Sequence, residues 1–124
     1  MSRGKSSSSP LEHSSKSFEV IATEPFERKL KRLCKKHRSL AADLAPIIEK
    51  LSQSPQQGKA LGQDCYKIRV PIASKGKGKS GGARLITYVR FVNNTVFLID
   101  IYDKSEQATI SDESLSALAA TFSM

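Results

Sequence analysis

Three segments with strand-like alternation, close together in the second half of the chain, constrain the fold most strongly. They cover 64–72, 83–92 and 95–103, and mostly apolar side chains recur in them at every second position. Such alternation is typical of strands that bury one face. Asn93 and Asn94 separate the last two segments, and asparagine tolerates the positive φ of a tight turn. The pattern therefore predicts three consecutive antiparallel strands.

The residues before these strands predict a short strand followed by a first helix. Alternation over 18–22 indicates the strand. Thr23 is a plausible N-cap for the helix, and Pro25 lies in the first turn, where proline is tolerated. Apolar residues then recur at helical spacing as far as His37, so the helix should end near that residue.

Two further helices are predicted. An apolar stripe indicates one helix from about Ser39 to Ser52, in which Pro46 predicts either a kink or a late start at Asp43. Ser111 suits the N-cap of the last helix, since two acidic residues follow it and favour the positive helix N-terminus. The order β-α-α-β-β-β-α predicts an α+β domain with a small, mostly antiparallel sheet and two helices packed on one face.

The chain of 124 residues suits a single domain. Residues 1–16 are rich in serine and carry little apolar surface, which predicts a disordered tail before a domain over 17–124. We expect a cytoplasmic protein that does not bind a membrane. No apolar run approaches the roughly 18 residues of a membrane span, and the two cysteines are isolated.

Positive charge is concentrated in one part of the chain. The net charge is +8; residues 59–90 hold eight bases and one acid, whereas 91–124 hold one base and five acids. Such an excess favours an anionic partner, which can be nucleic acid, an acidic protein or an anionic membrane. Because the basic segment coincides with strands and a glycine-rich loop, the sequence favours RNA over a merely solvated charged face.

Strand alternation places many of these cations on one face of the predicted sheet. On the last strand, Phe97, Ile99 and Ile101 are assigned to the core face. The opposite face is predicted to be open and to carry Lys67, Arg69, Arg84, Tyr88, Arg90, Tyr102 and Lys104. Cations suit phosphate contacts and aromatic rings suit base stacking, so this face predicts an RNA-binding surface.

The loop 74–82 joins the first two central strands and alternates glycine with Lys75, Lys77 and Lys79. It differs from a phosphate-binding P-loop, which needs a glycine where Ala73 stands and a helix afterwards. A strand follows instead, so nucleotide hydrolysis is excluded. The loop is predicted to bind the phosphate backbone of RNA or of the ribosome. The sequence contains no metal-ligand spacing and predicts no cofactor.

Three segments together resemble a known family. They are DCYKIRV at 64–70, KGKGKSGGARLITY at 75–88 and VFLIDIYDK at 96–104. The combination resembles the RelE/HigB-type toxins of bacterial type II toxin–antitoxin modules, in the RelE/ParE superfamily. It is most similar to the HigB-like branch, which carries an SKGKGK-type loop and a Y-x-K ending to the last strand. The resemblance covers about 18–120 and implies the RelE-like fold.

The resemblance also implies a function and a set of catalytic residues. Family members are ribosome-dependent endoribonucleases that cut mRNA, inhibit translation, need no metal and are neutralised by a cognate antitoxin, typically DNA-binding. Lys67 and Arg69 match the family's basic pair, Arg84 its next arginine and Lys104 its last basic residue. The best-studied branch has a catalytic tyrosine in its C-terminal helix region. No tyrosine follows Tyr102 here, so Tyr102 is the candidate replacement.

These residues suit cleavage by the RNA's own 2′-hydroxyl. Lys67 is the candidate base, because neighbouring cations such as Arg69 and Arg84 lower a lysine pKa. The two arginines suit the crowded phosphate, and Lys104 or Tyr102 suits the proton donor. Three alternatives stay open: a ParE-like toxin that inhibits gyrase, a non-catalytic RNA-binding module, and an interaction domain that docks an acidic antitoxin.

Overall fold

The computed structural model describes residues 17–75 and 81–122. The predicted tail over 1–16 and the loop residues Lys77 and Lys79 lie outside this part of the chain. The elements in chain order are β1 (Glu19–Ala22), α1 (Glu24–Lys36), α2 (Leu40–Gln53), β2 (Lys59–Gly62), β3 (Cys65–Val70), a 3-10 turn (Ala73–Lys75), β4 (Ala83–Arg90), β5 (Thr95–Asp103) and α3 (Asp112–Phe122).

One mixed sheet contains all five described strands in the order β1-β5-β4-β3-β2. The pair β1–β5 is parallel and the other pairs are antiparallel, which confirms the predicted α+β class and the mostly antiparallel sheet. The sequence did not predict β2. Gln63 and Asp64 both adopt positive φ in the turn that joins it to β3. Since β2 has only four residues, it depends on its pairing with β3 rather than on its own pattern.

Helices α1 and α2 pack on one face of the sheet, as predicted. Phe26 and Leu33 of α1 and Leu44 and Leu51 of α2 are buried in the main core. They pack against the sheet residues Ile68, Val70, Leu85, Val89, Val96, Leu98 and Ile101. Burial of apolar side chains at about 25 cal/mol per Å² makes this layer the main source of stability. No helix within 17–75 or 81–122 is long and apolar enough to cross a membrane.

The start of α1 follows the prediction with one difference. Thr23 is the N-cap and proline stands in the first turn. The Thr23 hydroxyl, however, donates to the Leu98 carbonyl at 2.8 Å instead of accepting from a helix N–H. The backbone N–H of Thr23 also donates to this carbonyl. Thr23 therefore fixes the chain between β1 and α1 onto β5.

The alternative of a late start for α2 at Asp43 is wrong. The helix begins at Leu40, and the Asp43 N–H donates to the Ser39 carbonyl at 2.8 Å. Pro46 lies inside the helix and deprives the Ala42 carbonyl of its usual donor. Both residues are exposed, so water can satisfy that carbonyl and the helix tolerates the proline.

The prediction of an open second sheet face is wrong over the part that α3 covers. Leu115 and Ala119 of α3 are buried there in a second, smaller core. The sheet residues in this core are Cys65, Ile86, Tyr88, Ile99 and Tyr102. Helix α3 begins as predicted, because the Ser111 hydroxyl accepts from the Ser114 N–H at 3.1 Å. The face carries α3 at one end and cations at the other.

The predicted side-chain alternation of β5 is wrong over part of the strand, because the strand contains a bulge. Ile86 pairs with Asp100 and Thr87 with Leu98, so Ile99 is an extra residue with no partner on β4. The extra residue reverses the alternation, because a shift of one residue exchanges the faces of a strand. Ile101 therefore lies in the main core as predicted, whereas Ile99 and Phe97 lie in the α3 core.

The connection between β4 and β5 is longer than the predicted Asn93-Asn94 turn. Strand β4 ends at Arg90 and pairs it with Thr95, so four residues form the loop. Asn94 alone among them adopts positive φ, at 49°. Phe91 and Val92 in this loop are the exposed large apolar side chains of the described part of the chain.

Candidate active site

Strand register brings three predicted site residues side by side. Arg69 of β3 pairs with Arg84 of β4, and Arg84 pairs with Tyr102 of β5. Lys67 lies on the same face of β3 two residues away, and Lys104 follows the end of β5. Adjacent strands are about 4.8 Å apart, so these residues lie close together on one face of the sheet. We refer to Lys67, Arg69, Arg84, Tyr102 and Lys104 as the candidate active site.

The Lys67 amine has a lowered pKa. Partial burial is the largest cause, followed by the charges of Lys59, Arg84 and Lys104. Both effects disfavour the ammonium form. Lys59 was not predicted as part of the site; it pairs with Lys67 across β2 and β3. Its place in the basic segment was a signal, but only the hairpin register shows that it faces Lys67.

Two backbone carbonyls hold the Arg84 guanidinium in a fixed position. The residue is 7% exposed, and its Nη1 donates to the carbonyls of Gly81 at 2.6 Å and Ala83 at 3.1 Å. These bonds use one guanidinium nitrogen and leave the other two without a bond in the described part of the chain. A pre-oriented guanidinium suits a phosphate that becomes more negative during a reaction. Arg69 beside it is exposed and open to an approaching anion.

Tyr102 is on the same row but is buried, with 3% of its surface exposed. Its hydroxyl is buried and has no hydrogen-bond partner among the described residues. Burial raises the pKa of the phenol, so the group stays protonated at neutral pH and is a weaker acid than an exposed tyrosine. Buried polar groups without a partner are uncommon.

Tyr88 and Arg90 lie away from this row, although the sequence placed them on the same face. They are four and six residues from Arg84 along β4, which corresponds to about 13 and 20 Å at strand spacing. Tyr88 is 7% exposed and stacks on Phe97 at 6.1 Å. The Arg90 guanidinium lies 5.3 Å above the same ring and donates to the Phe122 carbonyl. Both side chains thus hold the end of α3.

Lys75 points into the protein. Its Nζ lies 3.3 Å from the carboxylate of Asp103, and 18% of its side chain is exposed. The sequence predicted that Lys75 contacts RNA or the ribosome, and Asp103 was not predicted as part of the site. The signal was available as an acid in the Y-x-K ending, but the partners of this acid come from distant parts of the chain.

Among the described residues, no group of three or more histidine, cysteine, aspartate or glutamate side chains is arranged to hold a metal ion. The two cysteines in this part of the chain are free thiols, and burial raises the pKa of Cys65 to about 11. A buried thiol with a raised pKa is a poor nucleophile. The side chains gathered at the candidate active site are those of lysine, arginine and tyrosine.

The fold and the site define a small α+β protein with a cationic cluster at one end of its central strands. The family model described as "RelE toxin of RelE / RelB toxin-antitoxin system" matches residues 26–123. The chain therefore belongs to the RelE toxin family. Placement in the HigB-like branch stays a prediction.

Two solved structures share the fold. One is an arginine-to-alanine double mutant of the E. coli toxin RelE in the free state, with a TM-score of 0.57 and 24% identity over 86% of this chain and 99% of that one. The other is the intact E. coli RelBE toxin–antitoxin complex, with a TM-score of 0.52 and 24% identity over 68% of this chain and 94% of that one. These matches show the RelE fold.

Proposed function

We propose that this protein is the toxin of a toxin–antitoxin module and inhibits translation as a ribosome-dependent mRNA endoribonuclease. The observation that carries the proposal is the convergence of Lys67, Arg84 and Lys104 on one face of the sheet, where partial burial and then the charges of Lys59, Arg84 and Lys104 lower the pKa of Lys67. Membership of the RelE toxin family supports the same function. A lowered lysine pKa beside fixed cations is typical of catalytic sites.

The proposed reaction uses the RNA's own 2′-hydroxyl. The Lys67 amine takes the proton of this hydroxyl, and the oxygen attacks the adjacent phosphorus. A bond forms between the 2′-oxygen and phosphorus, and the bond from phosphorus to the 5′-oxygen breaks. The products are a 2′,3′-cyclic phosphate and a 5′-hydroxyl, which receives its proton from Lys104, since the Tyr102 hydroxyl is buried. No electrons are transferred to or from a cofactor.

The two arginines supply the electrostatic part of the mechanism. Arg84 is fixed by the carbonyls below it, so it needs little reorganisation when negative charge develops on the phosphate. Arg69 is exposed and can bind the incoming strand. Lysine and arginine without histidine or metal make a modest catalyst, so we expect the ribosome to position the mRNA and naked RNA to be cut poorly.

The proposed partners follow from this function. They are mRNA on the ribosome and a cognate antitoxin, since the solved RelBE structure contains such a complex for the E. coli relative. An antitoxin that covered the candidate active site would block the mRNA. The loop lysines Lys77 and Lys79 would contribute phosphate contacts that weaken as salt is added.

The test is cleavage of mRNA in a translating extract, with the 5′ ends of the products mapped. The variants Lys67→Ala, Arg84→Ala and Lys104→Ala should each reduce cleavage by at least about tenfold, in line with the loss of a catalytic acid, base or phosphate contact. Lys50→Ala is the matched control, because Lys50 is an exposed cation on α2. Undiminished cutting by all three folded variants would refute the site.

A parallel assay of gyrase supercoiling separates this proposal from the alternative of a gyrase-inhibiting toxin. Strong binding of RNA without any cleavage, in the presence of translating ribosomes, would instead indicate a non-catalytic RNA-binding module. Mapping of mRNA 5′ ends after induced expression in cells would show whether the cleavage sites follow codon positions.

A further inference from the structure

A buried carboxylate lies directly behind the candidate active site. Asp103 is the last residue of β5 and is fully buried. Its carboxylate accepts from His37 Nε2 at 2.7 Å, from Lys75 Nζ at 3.3 Å and from the Ser105 N–H and hydroxyl at 2.9 and 2.7 Å. Lys36 Nζ lies 3.4 Å away. We call these residues the Asp103 cluster.

The cluster joins parts of the chain that are far apart in sequence. Lys36 and His37 belong to the end of α1, Lys75 ends the 3-10 turn, and Ser105 begins the segment after β5. Against the opposing effect of burial, the hydrogen bonds from Ser105, His37 and Lys75 hold the pKa of Asp103 well below its usual range. The carboxylate is thus ionised at neutral pH, and it fixes all of these donors at once.

The same place is where both ends of the glycine-rich loop meet the candidate active site. Lys75 lies near the start of the loop 74–82. At the end of the loop, the Gly81 carbonyl accepts from Arg84 and the Gly82 carbonyl accepts from the Lys104 N–H at 2.9 Å. A Cβ on Gly81 would lie 3.7 Å from Lys75 Nζ and 3.6 Å from Lys104 Cβ. Lys75 is therefore next to the segment that carries Arg84 and Lys104.

We infer that Asp103 is a positioning residue, which fixes Lys104, Arg84 and the two ends of the loop relative to one another through Lys75, and that Lys75 is its internal counter-ion rather than an RNA contact. The inference rests on the proposed function, because it assigns the support of that site. Asp103 touches no reacting atom. Without Asp103 the cationic side chains are still present, but their relative positions can shift. Displacements of about 1 Å at an active site can cost 10²-fold in rate.

The first test compares Asp103→Asn with Glu106→Gln. Glu106 is the matched control: it bonds Lys36 in the same neighbourhood at 2.7 Å but does not contact Lys75. On ribosomes saturated with toxin, Asp103→Asn should lower the cleavage rate at least tenfold while toxin–ribosome affinity changes less than threefold, and Glu106→Gln should cleave normally. A fall in affinity alone, or equal loss in both variants, would overturn the inference.

Lys75→Met keeps the inference testable if Asp103→Asn does not fold, since Lys75 is not part of either core. A positioning role predicts a slower rate with an unchanged salt dependence of RNA binding. A phosphate contact predicts weaker binding, with the slope of log K against log salt reduced by about 0.7 for single-stranded RNA. The second result, with a normal rate at saturation, would overturn the inference.

Amide hydrogen exchange separates the inference from the proposed function. The Lys104 amide, bonded to Gly82, should exchange faster in folded Lys75→Met than in the wild type, and Glu106→Gln should match the wild type. This result is independent of RNA cleavage. If Arg84→Ala abolishes cutting but Lys75→Met changes neither rate nor exchange, the proposed function stands and the positioning role fails. If the wild type cuts no mRNA, the function fails and the exchange result alone decides the positioning role.

Discussion

Lys67 shows how the environment of one residue differs from what its neighbours in sequence suggest. The sequence attributed a lowered pKa to Arg69 and Arg84. In the structure burial is the largest cause, and the contributing charges are Lys59, Arg84 and Lys104. Arg69 is exposed, and solvent screens its charge. The tuning of Lys67 therefore depends on the β2–β3 hairpin, which supplies Lys59.

The hairpin lysine gives the first prediction. Lys59→Gln removes a like charge, so the pKa of Lys67 should rise towards its ordinary value. If the neutral amine is the base, the ascending limb of the pH–rate profile should move to higher pH. At a fixed pH below the pKa of Lys67, the cleavage rate should then fall roughly two- to fivefold, as for partly exposed charge pairs. Lys31→Gln, on the exposed face of α1, serves as the control. A shift to lower pH would contradict this role for Lys67.

The glycine pair before β4 gives a second prediction, about the backbone. Gly82 has φ +64°, and a Cβ there would lie 2.6 Å from the Val70 carbonyl. Gly82→Ala should therefore destabilise the fold by about 1–3 kcal/mol, measured by urea unfolding. Gly81→Ala is the matched control: its Cβ meets only ordinary contacts, the nearest at 3.6 Å. Equal stability of the two variants would contradict the strain at Gly82.

At the scale of elements, boundaries encoded by local residues were predictable, and features encoded by distant pairing were not. Strand β5 has its predicted bounds, Thr95–Asp103, and Ser111 caps α3 as expected, because both depend on neighbouring residues. The bulge at Ile99 has no local signature, since its sequence continues the strand pattern. Burial of Tyr88 depends on where α3 packs, which the sequence of β4 does not contain.

The N-cap residue Ser111 allows a test of whether the start of α3 depends on neighbouring residues. Ser111→Ala removes the acceptor for the Ser114 N–H and should cost about 1 kcal/mol of stability, the typical value for an N-cap. Ser114→Ala keeps that N–H and should cost clearly less. Thermal unfolding followed by circular dichroism compares the two. A larger loss for Ser114→Ala would show that α3 is not held by this cap.

At the scale of the whole molecule, the cations divide into two groups that the sequence did not distinguish. Lys67, Arg69 and Arg84 lie on the strands of the candidate active site. Lys75 is an internal partner of Asp103, and the half-exposed Lys36 of α1 approaches the same carboxylate from the surface. The net charge of +8 indicated an anionic partner, but it could not show which cations face outward. That assignment requires the register that brings the end of β5 next to α1 and the loop.

The buried, ionised carboxylate of Asp103 predicts how the stability of the whole fold responds to acid. The pKa of Asp103 is lowered well below its usual range in the folded protein, so ionised Asp103 stabilises the fold above the unfolded value of about 4. That contribution is lost progressively as pH falls below 4, while protonation of other carboxylates raises the net positive charge. Asp103→Asn should lower the free energy of unfolding at pH 7 by about 3 kcal/mol, as expected when one partner of a buried ion pair is removed.

The difference between wild type and Asp103→Asn should shrink steadily from pH 5 to pH 2, because the unfolded chain binds a proton at Asp103 below about pH 4 whereas the folded protein resists that proton. Urea unfolding at a series of pH values measures it directly. Glu106→Gln is the control, because Glu106 is exposed and shares Lys36 with Asp103; its stability at pH 7 should stay close to that of the wild type. A wild type–Asp103→Asn difference that stayed constant across this range would mean that packing, and not the charge of Asp103, joins α1, the loop and β5.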